Sequence, residues 1–341
     1  MGGKKVCVIL DSNIWIQQTW LLKSSLGAAF LYYAQQKKVK IGLPEVVELE
    51  IIKHAKKTGI EAIEKINQGF SIIEKSFGKR DFFNVPTLEE FERVAKLRLS
   101  ELDDKIVRIP FDFSQAKGAL KRIMDETPPN KSGNQQFKDS IIWEALLKMI
   151  DEYDVYFVTE DKMFFEDRNP HKGLVKNLGK EVKTKKGRVK IYYGLGVFLE
   201  EVKETTPQLD KGRIAHTVDE SIHDTLIKDT KGASIGKMTG YRIDAFLTDH
   251  PTELAIKFCL EHEITYFSEN SEEKYEGSLA VEGECLLDLD KFLIGNTKLD
   301  TLTISTPEGC PVPSGRCIYA SCTIGGYRTV KFKLREPLWD N

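Results

Sequence analysis

Residues 7–16 read CVILDSNIWI, an apolar run that ends at Asp11 and continues into Ser12 and Asn13. The five apolar residues VCVIL are typical of a strand that is buried on both faces of a parallel sheet. Open α/β sheets place their ligand sites at the carboxyl ends of the strands. The stretch therefore predicts an α/β domain with Asp11 at its ligand-binding edge. Because Asp and Ser are also common helix caps, Asp11 alone does not define a site.

Five short apolar runs alternate with longer segments of helical periodicity over the first 205 residues. One of these segments, IEAIEKINQGFSIIEKSF at 60–77, repeats its apolar residues every three or four positions. Such alternation predicts a parallel sheet flanked by helices, and we expect this α/β domain to cover residues 1–204. The five strand-like runs are residues 6–10, 39–43, 106–109, 154–159 and 188–193.

The chain after this domain has a different pattern. EGSLAVEGECLLDLD at 276–290 approximates period-two alternation, and the short runs TLTIST, GRCIYASC and YRTVKFKL lie between Gly, Pro and Asn residues. This pattern predicts a smaller, β-rich and antiparallel domain over residues 241–341. Residues 205–240 are polar and contain one proline, so we expect a linker or polar segment there.

The composition is that of an ordinary globular protein, with 41% hydrophobic and 30% charged residues. The cysteines lack the short paired spacing of a zinc site, and the cluster Cys310, Cys317 and Cys322 is interpreted as ordinary thiols. The chain begins in a strand-like run without a signal-peptide pattern, and no apolar stretch approaches the roughly 20 residues of a spanning helix. We therefore expect a cytoplasmic protein with no membrane partner.

Charge is distributed unevenly along the chain. Residues 1–206 contain 35 Lys and Arg against 30 Asp and Glu, a net of +5, whereas residues 207–341 contain 15 against 22, a net of −7. The basic excess is greatest at 172–190, KGLVKNLGKEVKTKKGRVK, which has eight Lys or Arg and one Glu. Such a segment is either a solvated loop or a contact for a phosphate backbone.

Three further acidic residues occupy positions comparable to that of Asp11. Glu50 lies in LPEVVELEIIKH, a predicted helix with Pro44 near its first turn; Glu48 is about 200° away around that helix, so only one of the two faces a given cleft. Asp139 opens the helix KDSIIWEALLKMI, and Asp161 follows the strand-like run DVYFVT. Each residue alone has an ordinary explanation, as a solvated, capping or turn residue.

Taken in order, these motifs resemble those of the PIN domains, a family of metal-dependent nucleases with a Rossmann-like three-layer α/β/α fold. The resemblance covers about the first 204 residues and leaves the β-rich region unmatched. The matching residues are Asp11 and Asn13 for the first motif, Pro44 and Glu50 for the second, Asp139 for the third, and Thr159, Asp161 and Phe164 for the fourth.

The resemblance implies a carboxylate site for Mg²⁺ or Mn²⁺, with metal-activated water attacking the phosphodiester bond. Hard oxygen ligands suit these ions, and no Cys/His set of the zinc type accompanies them. Thr159 and Asn13 would orient water or a carboxylate. The implied catalytic residues and metal ligands are Asp11, Glu50, Asp139 and Asp161.

The resemblance further implies an endoribonuclease, of the kind found among toxins and defence systems, although the sequence does not exclude DNA. A homodimer and a regulatory protein bound by the C-terminal domain are the other expected partners. Basic and polar residues beside the third motif and in the basic segment are expected to contact the substrate. They are Lys131, Gln135, Lys138, Lys183, Lys185, Lys186 and Arg188.

Two other classes of protein share some of these features. One is a non-catalytic PIN-like scaffold whose β-rich half binds a protein or a nucleic acid. The other is an aspartyl-phosphate phosphohydrolase, which also begins with a strand ending in Asp but requires a second Asp where this chain has Asn13. A dinucleotide-binding domain is disfavoured because no GxGxxG follows the first strand.

Overall fold

The computed structural model of the chain comprises two compact units. Unit 1 contains residues 1–23 and 30–202, and unit 2 contains residues 24–29 and 203–341. The residues that the structure describes are 5–17, 19–79, 85–131, 133, 135–202, 209–230, 233–250, 252–267, 274–307, 320–324 and 327–333.

Unit 1 is built on a five-stranded parallel sheet with the strand order β3-β2-β1-β4-β5. The predicted parallel α/β domain is confirmed, and each of the five apolar runs forms a strand. The central strand β1 is buried from Cys7 to Leu10, as expected for a strand covered on both faces. The strands are β1 (Lys5–Leu10), β2 (Lys40–Pro44), β3 (Ile106–Ile109), β4 (Tyr153–Thr159) and β5 (Val189–Tyr193).

Nine helices are described between residues 12 and 202, and the first five residues of the third belong to unit 2. Pro44 is the residue before α4, with φ −61°, and the two predicted helical segments that follow it form one continuous helix of 33 residues. The helices are α1 (Ser12–Gln17), α2 (Thr19–Leu22), α3 (Ser25–Gln36), α4 (Glu45–Phe77), α5 (Leu88–Glu101), α6 (Phe113–Met124), α7 (Phe137–Met149), α8 (Lys176–Lys183) and α9 (Leu195–Val202).

Helix α8 connects β4 to β5, and three short 3-10 turns precede it at Lys162–Phe164, Glu166–Arg168 and Pro170–Lys172. Because β4 and β5 are parallel, this connection runs from the carboxyl edge of the sheet back to its amino edge. The segment 184–188 therefore lies at the amino edge, where the backbone N–H of Val155 donates to the carbonyl of Arg188 over 2.8 Å.

Unit 2 contains a six-stranded sheet with the order β10-β11-β9-β8-β7-β6, and all its described pairings are antiparallel. The predicted antiparallel, β-rich region is confirmed. Its strands are β6 (Ser234–Leu247), β7 (Glu253–Phe267), β8 (Lys274–Asp288), β9 (Leu293–Pro307), β10 (Ala320–Ile324) and β11 (Tyr327–Lys333).

Within residues 205–240, expected to be a linker or polar segment, the structure describes the helix α10 (Lys211–Asp229) and the start of β6. Ile214, Val218, Ile222 and Leu226 follow one another at four-residue intervals and are all buried in the hydrophobic core of unit 2. The sequence pattern did not indicate this helix, because its apolar residues are separated by charged ones. A helix that covers one face of a sheet needs only a narrow apolar face. Of the helices that the structure describes, none combines the length and hydropathy needed to cross a bilayer.

If α10 belongs to the core of unit 2, truncating its inner face destabilises the fold. Ile222 is 2% exposed, whereas Ile227 on the same helix is 38% exposed. We expect Ile222→Ala to lower the free energy of unfolding by about 2–4 kcal/mol and Ile227→Ala by less than about 1 kcal/mol. Urea unfolding of the two variants beside the wild type measures the difference. Equal effects would show that α10 does not pack as described.

Candidate metal centre

The first and fourth motifs meet at the carboxyl edge of the sheet. Leu10 pairs with Val158 in the parallel register of β1 and β4, and the backbone N–H of Asp11 donates to the carbonyl of Val158 over 3.0 Å. Asp11 is 3% exposed and immediately precedes α1. The two central strands of the sheet therefore end side by side, with Asp11 next to Thr159 and Asp161 two residues further on.

The hydroxyl of Thr159 links these two acidic residues. Its Oγ1 donates to Oδ2 of Asp11 over 2.6 Å and accepts the backbone N–H of Asp161 over 2.9 Å. The other carboxylate oxygen of Asp11 accepts the backbone N–H of Ser12 over 2.7 Å, and Oδ1 of Asp161 accepts the N–H of Met163 over 2.8 Å. Both carboxylates are thus held in fixed orientations, as a positioned ligand requires.

Asp139 lies in the first turn of α7. Two buried polar residues that sequence reasoning missed hold this helix start in place. Asn130 Nδ2 donates to Oγ of Ser140 over 2.8 Å and to the carbonyl of Thr127 over 3.2 Å, and its Oδ1 accepts the backbone N–H of Gln136 over 2.6 Å. No local pattern marks Asn130, because its partners come together only when the loop folds back on α7.

The second motif contributes Glu50 rather than Glu48. Glu48 is ion-paired with Arg108 at 3.3 Å, whereas Glu50 is ion-paired with Lys138, the residue before Asp139. The negative charge of Glu50 also acts on Asp139. Helix α4 therefore presents Glu50 to the start of α7, as expected from the angle of about 200° between the two glutamates.

Electrostatic interactions connect all four carboxylates. Burial, opposed by the hydrogen bonds of Thr159 and Ser12, raises the pKa of Asp11 to about 6, and the charge of Asp161 contributes to the increase. Burial raises the pKa of Asp139 to about 7, with further increases from Asp11, Asp161 and Glu50 and an opposing effect of Lys138. This concentration of negative charge at a half-buried edge is unfavourable without a cation.

The donors at this edge fit a hard divalent cation bound partly through water. Within the described residues, no three His, Cys, Asp or Glu side chains are arranged to hold an ion as they stand. Mg²⁺ commonly binds to one or two carboxylates and keeps several waters, so a pair of these acids suffices. The amide Oδ1 of Asn13, two residues after Asp11 in the chain, is buried and has no hydrogen-bond partner among the described residues, so it is one more unsatisfied hard oxygen.

The expected substrate residues fall into two separate groups. Lys131 and Gln135 are exposed in the loop before α7, and Lys138 lies in the first turn of that helix. These three residues are therefore on the same segment of chain as Asp139. The other four lie on the last turn of α8 or at the amino edge of the sheet, at the opposite end of β4 from Asp161. They are Lys183, Lys185, Lys186 and Arg188.

The seven expected substrate contacts are therefore not gathered at one edge of the sheet, and substrate binding by the basic segment stays a prediction. A crossover between parallel strands must end at the amino edge, and the sequence pattern around residues 183–188 carried no sign of this separation. Phe164 is fully buried, with its ring centroid 5.0 Å from that of Phe157, and is a core residue. Of the cysteine cluster, Cys310 and Cys317 lie outside the described residues.

An open parallel α/β sheet binds its ligands at the carboxyl edge, and clustered carboxylates at that edge suit a cationic ligand. A family model described as PIN domain matches residues 8–164, a little under half of the chain. This region is a PIN domain, as the motifs predicted, and has a nuclease-type fold; such domains are generally nucleases that use divalent metals. Neither the curated proteins nor the solved structures gave a match to the chain.

If Asp139 is held in the folded state at an electrostatic cost, removing its charge stabilises the metal-free protein. The pKa of this carboxyl is raised from 3.8 to about 7 in the folded state, so its ionisation lowers the stability of the folded protein as pH rises between these values. The loss of stability is complete near pH 8. We expect Asp139→Asn to raise the free energy of unfolding by roughly 1–2 kcal/mol in EDTA at pH 8. Thermal unfolding measures this change.

The exposed Asp125→Asn serves as a control and should be neutral within about 0.5 kcal/mol. Adding Mg²⁺ or Mn²⁺ should stabilise the wild type more than Asp139→Asn, because only the wild type keeps the full charge that favours the cation. A metal-free Asp139→Asn that unfolds below the wild type would show that the carboxylate is stabilised by its surroundings.

Proposed function

We propose that this chain is a divalent-metal-dependent endonuclease that hydrolyses phosphodiester bonds, with RNA as its principal substrate and Mg²⁺ or Mn²⁺ as its cofactor. The observation that carries the proposal is the electrostatic coupling of Asp11, Glu50, Asp139 and Asp161, which come from four separate segments of a PIN domain. Nothing in the packing of an α/β sheet requires four acids at one edge.

The residues of such a site would have different roles. Asp11 and Asp161 would bind the cation, and the hydroxyl of Thr159 fixes their relative orientation through its two hydrogen bonds. Asp139 and Glu50 would complete the negative field that attracts the cation and orient the waters around it. A bound divalent cation supplies neutralisation of the phosphate charge and a more acidic water.

Lys138 offers a way for the site to respond to substrate. Its ammonium group is paired with Glu50 in the structure. A bound cation would weaken the attraction of Glu50 for Lys138, and the ammonium group of Lys138 would then be available to a phosphate oxygen. Lys131 and Gln135, exposed in the adjoining loop, would contact the same backbone without reading bases.

A non-catalytic PIN-like scaffold is the competing proposal. It is favoured by the same ion pair, since a lysine that permanently neutralised Glu50 would weaken the negative field that attracts a cation. The two proposals differ in whether a divalent cation binds and whether cleavage follows, and one experiment addresses both.

Labelled RNA and DNA of mixed sequence are incubated with the protein in Mg²⁺, Mn²⁺ or EDTA. We expect internal cleavage that requires metal, is stronger on RNA and leaves 5′-phosphate ends. Asp161→Asn should lower the rate by at least about 100-fold, since a carboxylate ligand to the cation is lost. Absence of cleavage of either polymer in every metal would favour the scaffold, and generic phosphomonoester hydrolysis that Asp11→Asn blocks would favour a phosphohydrolase.

The choice of Glu50 over its neighbour gives a matched pair of variants on one helix. Glu50→Gln should lower the cleavage rate by roughly 10- to 100-fold, because the cation then loses part of its negative surroundings. Glu48→Gln removes an equal charge but disturbs only the pair with Arg108, and the rate should change by less than about 2-fold. Equal losses in both variants would contradict the proposed arrangement of α4.

Thr159 tests the orienting role of a single hydroxyl. Thr159→Val keeps the shape but removes both hydrogen bonds to the acidic residues, whereas Thr159→Ser retains them. We expect the valine variant to bind Mn²⁺ about 10-fold more weakly, measured by calorimetry, and the serine variant to stay within about 3-fold of wild type. Equal metal affinity in all three proteins would show that the hydroxyl serves the fold alone.

A further inference from the structure

The basic segment follows a single outer face of α8. Lys176, Lys180 and Lys183 are separated by four and three residues, so they lie within about 60° of one another around the helix. All three are exposed, and the buried residue of this helix, Leu178, lies on the opposite side. The lysines therefore form a stripe parallel to the helix axis.

The only acidic residue between 172 and 190 points away from this stripe. Glu181 accepts hydrogen bonds from the guanidinium of the buried Arg122, at 2.9 Å to one oxygen, and from Nε1 of Trp143 at 3.2 Å. Its charge is therefore compensated inside the domain by Arg122, which also pairs with Glu144 at 2.7 Å. Glu181 therefore does not neutralise the lysines on the outer face of α8.

The loop that continues the stripe is fixed in position. A Cβ atom at Gly187 would lie 2.3 Å from the carbonyl oxygen of Ile150 and 2.5 Å from that of Tyr153, so the backbone packs there without room for a side chain. The backbone N–H of Arg188 donates to Oδ1 of Asp154 over 3.0 Å. Lys186 and Arg188 therefore flank a backbone position that is closely packed against residues 150 and 153.

The side-chain charges of four cations in this region have no acidic partner among the residues that the structure describes. Others in the segment are paired, for example Lys176 with Glu166 at 3.1 Å and Lys185 with Asp151 at 3.6 Å. We name the unpaired set the basic track, and it comprises Lys180, Lys183, Lys186 and Arg188.

Its place in the fold connects the basic track to the candidate metal centre. The connection that contains α8 leaves β4 beside Asp161 and ends at the amino edge, so the stripe leads away from the carboxylates. Strand β4 has seven residues, which separates the two edges by roughly 20 Å. At the duplex rise of about 3.4 Å per nucleotide, this separation corresponds to about six nucleotides.

We propose that the basic track binds the phosphodiester backbone of a nucleic acid whose other part occupies the metal centre, so that the preferred substrate is a polymer long enough to reach both. This inference rests on the proposed function, because it takes the part of the nucleic acid outside the basic track to be bound at the metal centre. The track has point charges and no exposed aromatic group of its own, so it holds the backbone without selecting sequence.

Binding is measured by fluorescence anisotropy in EDTA, with labelled 30-nucleotide and 4-nucleotide RNA and DNA. The test variant changes all four residues of the basic track to Gln. The matched control changes four exposed lysines elsewhere in unit 1 to Gln, namely Lys65, Lys75, Lys117 and Lys121.

We expect the test variant to bind the 30-nucleotide strands at least about 10-fold more weakly and to lower the salt slope, d log K/d log[salt], by about 3. The control should lose less than about 3-fold, and binding of the 4-nucleotide strands should not change. Comparison of the RNA and DNA arms shows which polymer supplies the backbone.

Equal losses in the test and control variants would overturn the proposal, because net charge alone would then explain binding. An equal loss of affinity for the 4-nucleotide strands would also overturn the proposal. The proposal would likewise be overturned if the basic track bound anionic phosphatidylserine vesicles and not nucleic acid. Length-dependent binding without metal-dependent cleavage would refute the proposed function and leave the basic track standing. If the four substitutions leave the cleavage rate of long substrates unchanged, the proposed role of the basic track is refuted and the proposed function is not.

Discussion

The parallel pairing of β1 with β4 is the constraint on which the candidate site depends. Because Leu10 lies opposite Val158, Asp11 and Thr159 leave the sheet together, and the hydroxyl of Thr159 can reach the carboxylate of Asp11 and the backbone of Asp161 at once. A shift of one residue in this register would turn Thr159 to the other face of the sheet and separate the two acids. The site is therefore specified by strand register before any metal binds.

The same pairing concentrates negative charge that the fold alone does not compensate. Asp11 and Asp139 titrate well above ordinary aspartates because they are buried beside other carboxylates. Active sites are commonly less stable than the scaffold around them, since a group that is poised for a ligand is unsatisfied without it. The ion pair between Lys138 and Glu50 offsets part of this repulsion and is the part of the site most readily exchanged for a substrate phosphate.

Sheet polarity gives unit 1 two chemically different edges. The carboxyl edge carries the acidic cluster, while the amino edge carries the turn at Gly187 and the cations beside it. Helix α8 connects the two edges and is attached to the domain through Arg122 and Glu181. Unit 2 follows a different principle, in which α10 supplies a narrow apolar stripe to the core of an antiparallel sheet.

The sequence by itself determined the strands of unit 1, their parallel arrangement and the β-rich character of unit 2, and it singled out four acidic residues as candidates, because apolar runs and motif order are local properties. Only the tertiary structure decided which groups meet. In the folded domain, the charge of Glu50 acts on Asp139, and Asn130 donates a hydrogen bond to Ser140. Lys186 and Arg188 lie at the opposite edge of the sheet from Asp161. These outcomes depend on register, on the direction of a crossover and on the angle at which a helix packs, and none of these is encoded in the residues nearby.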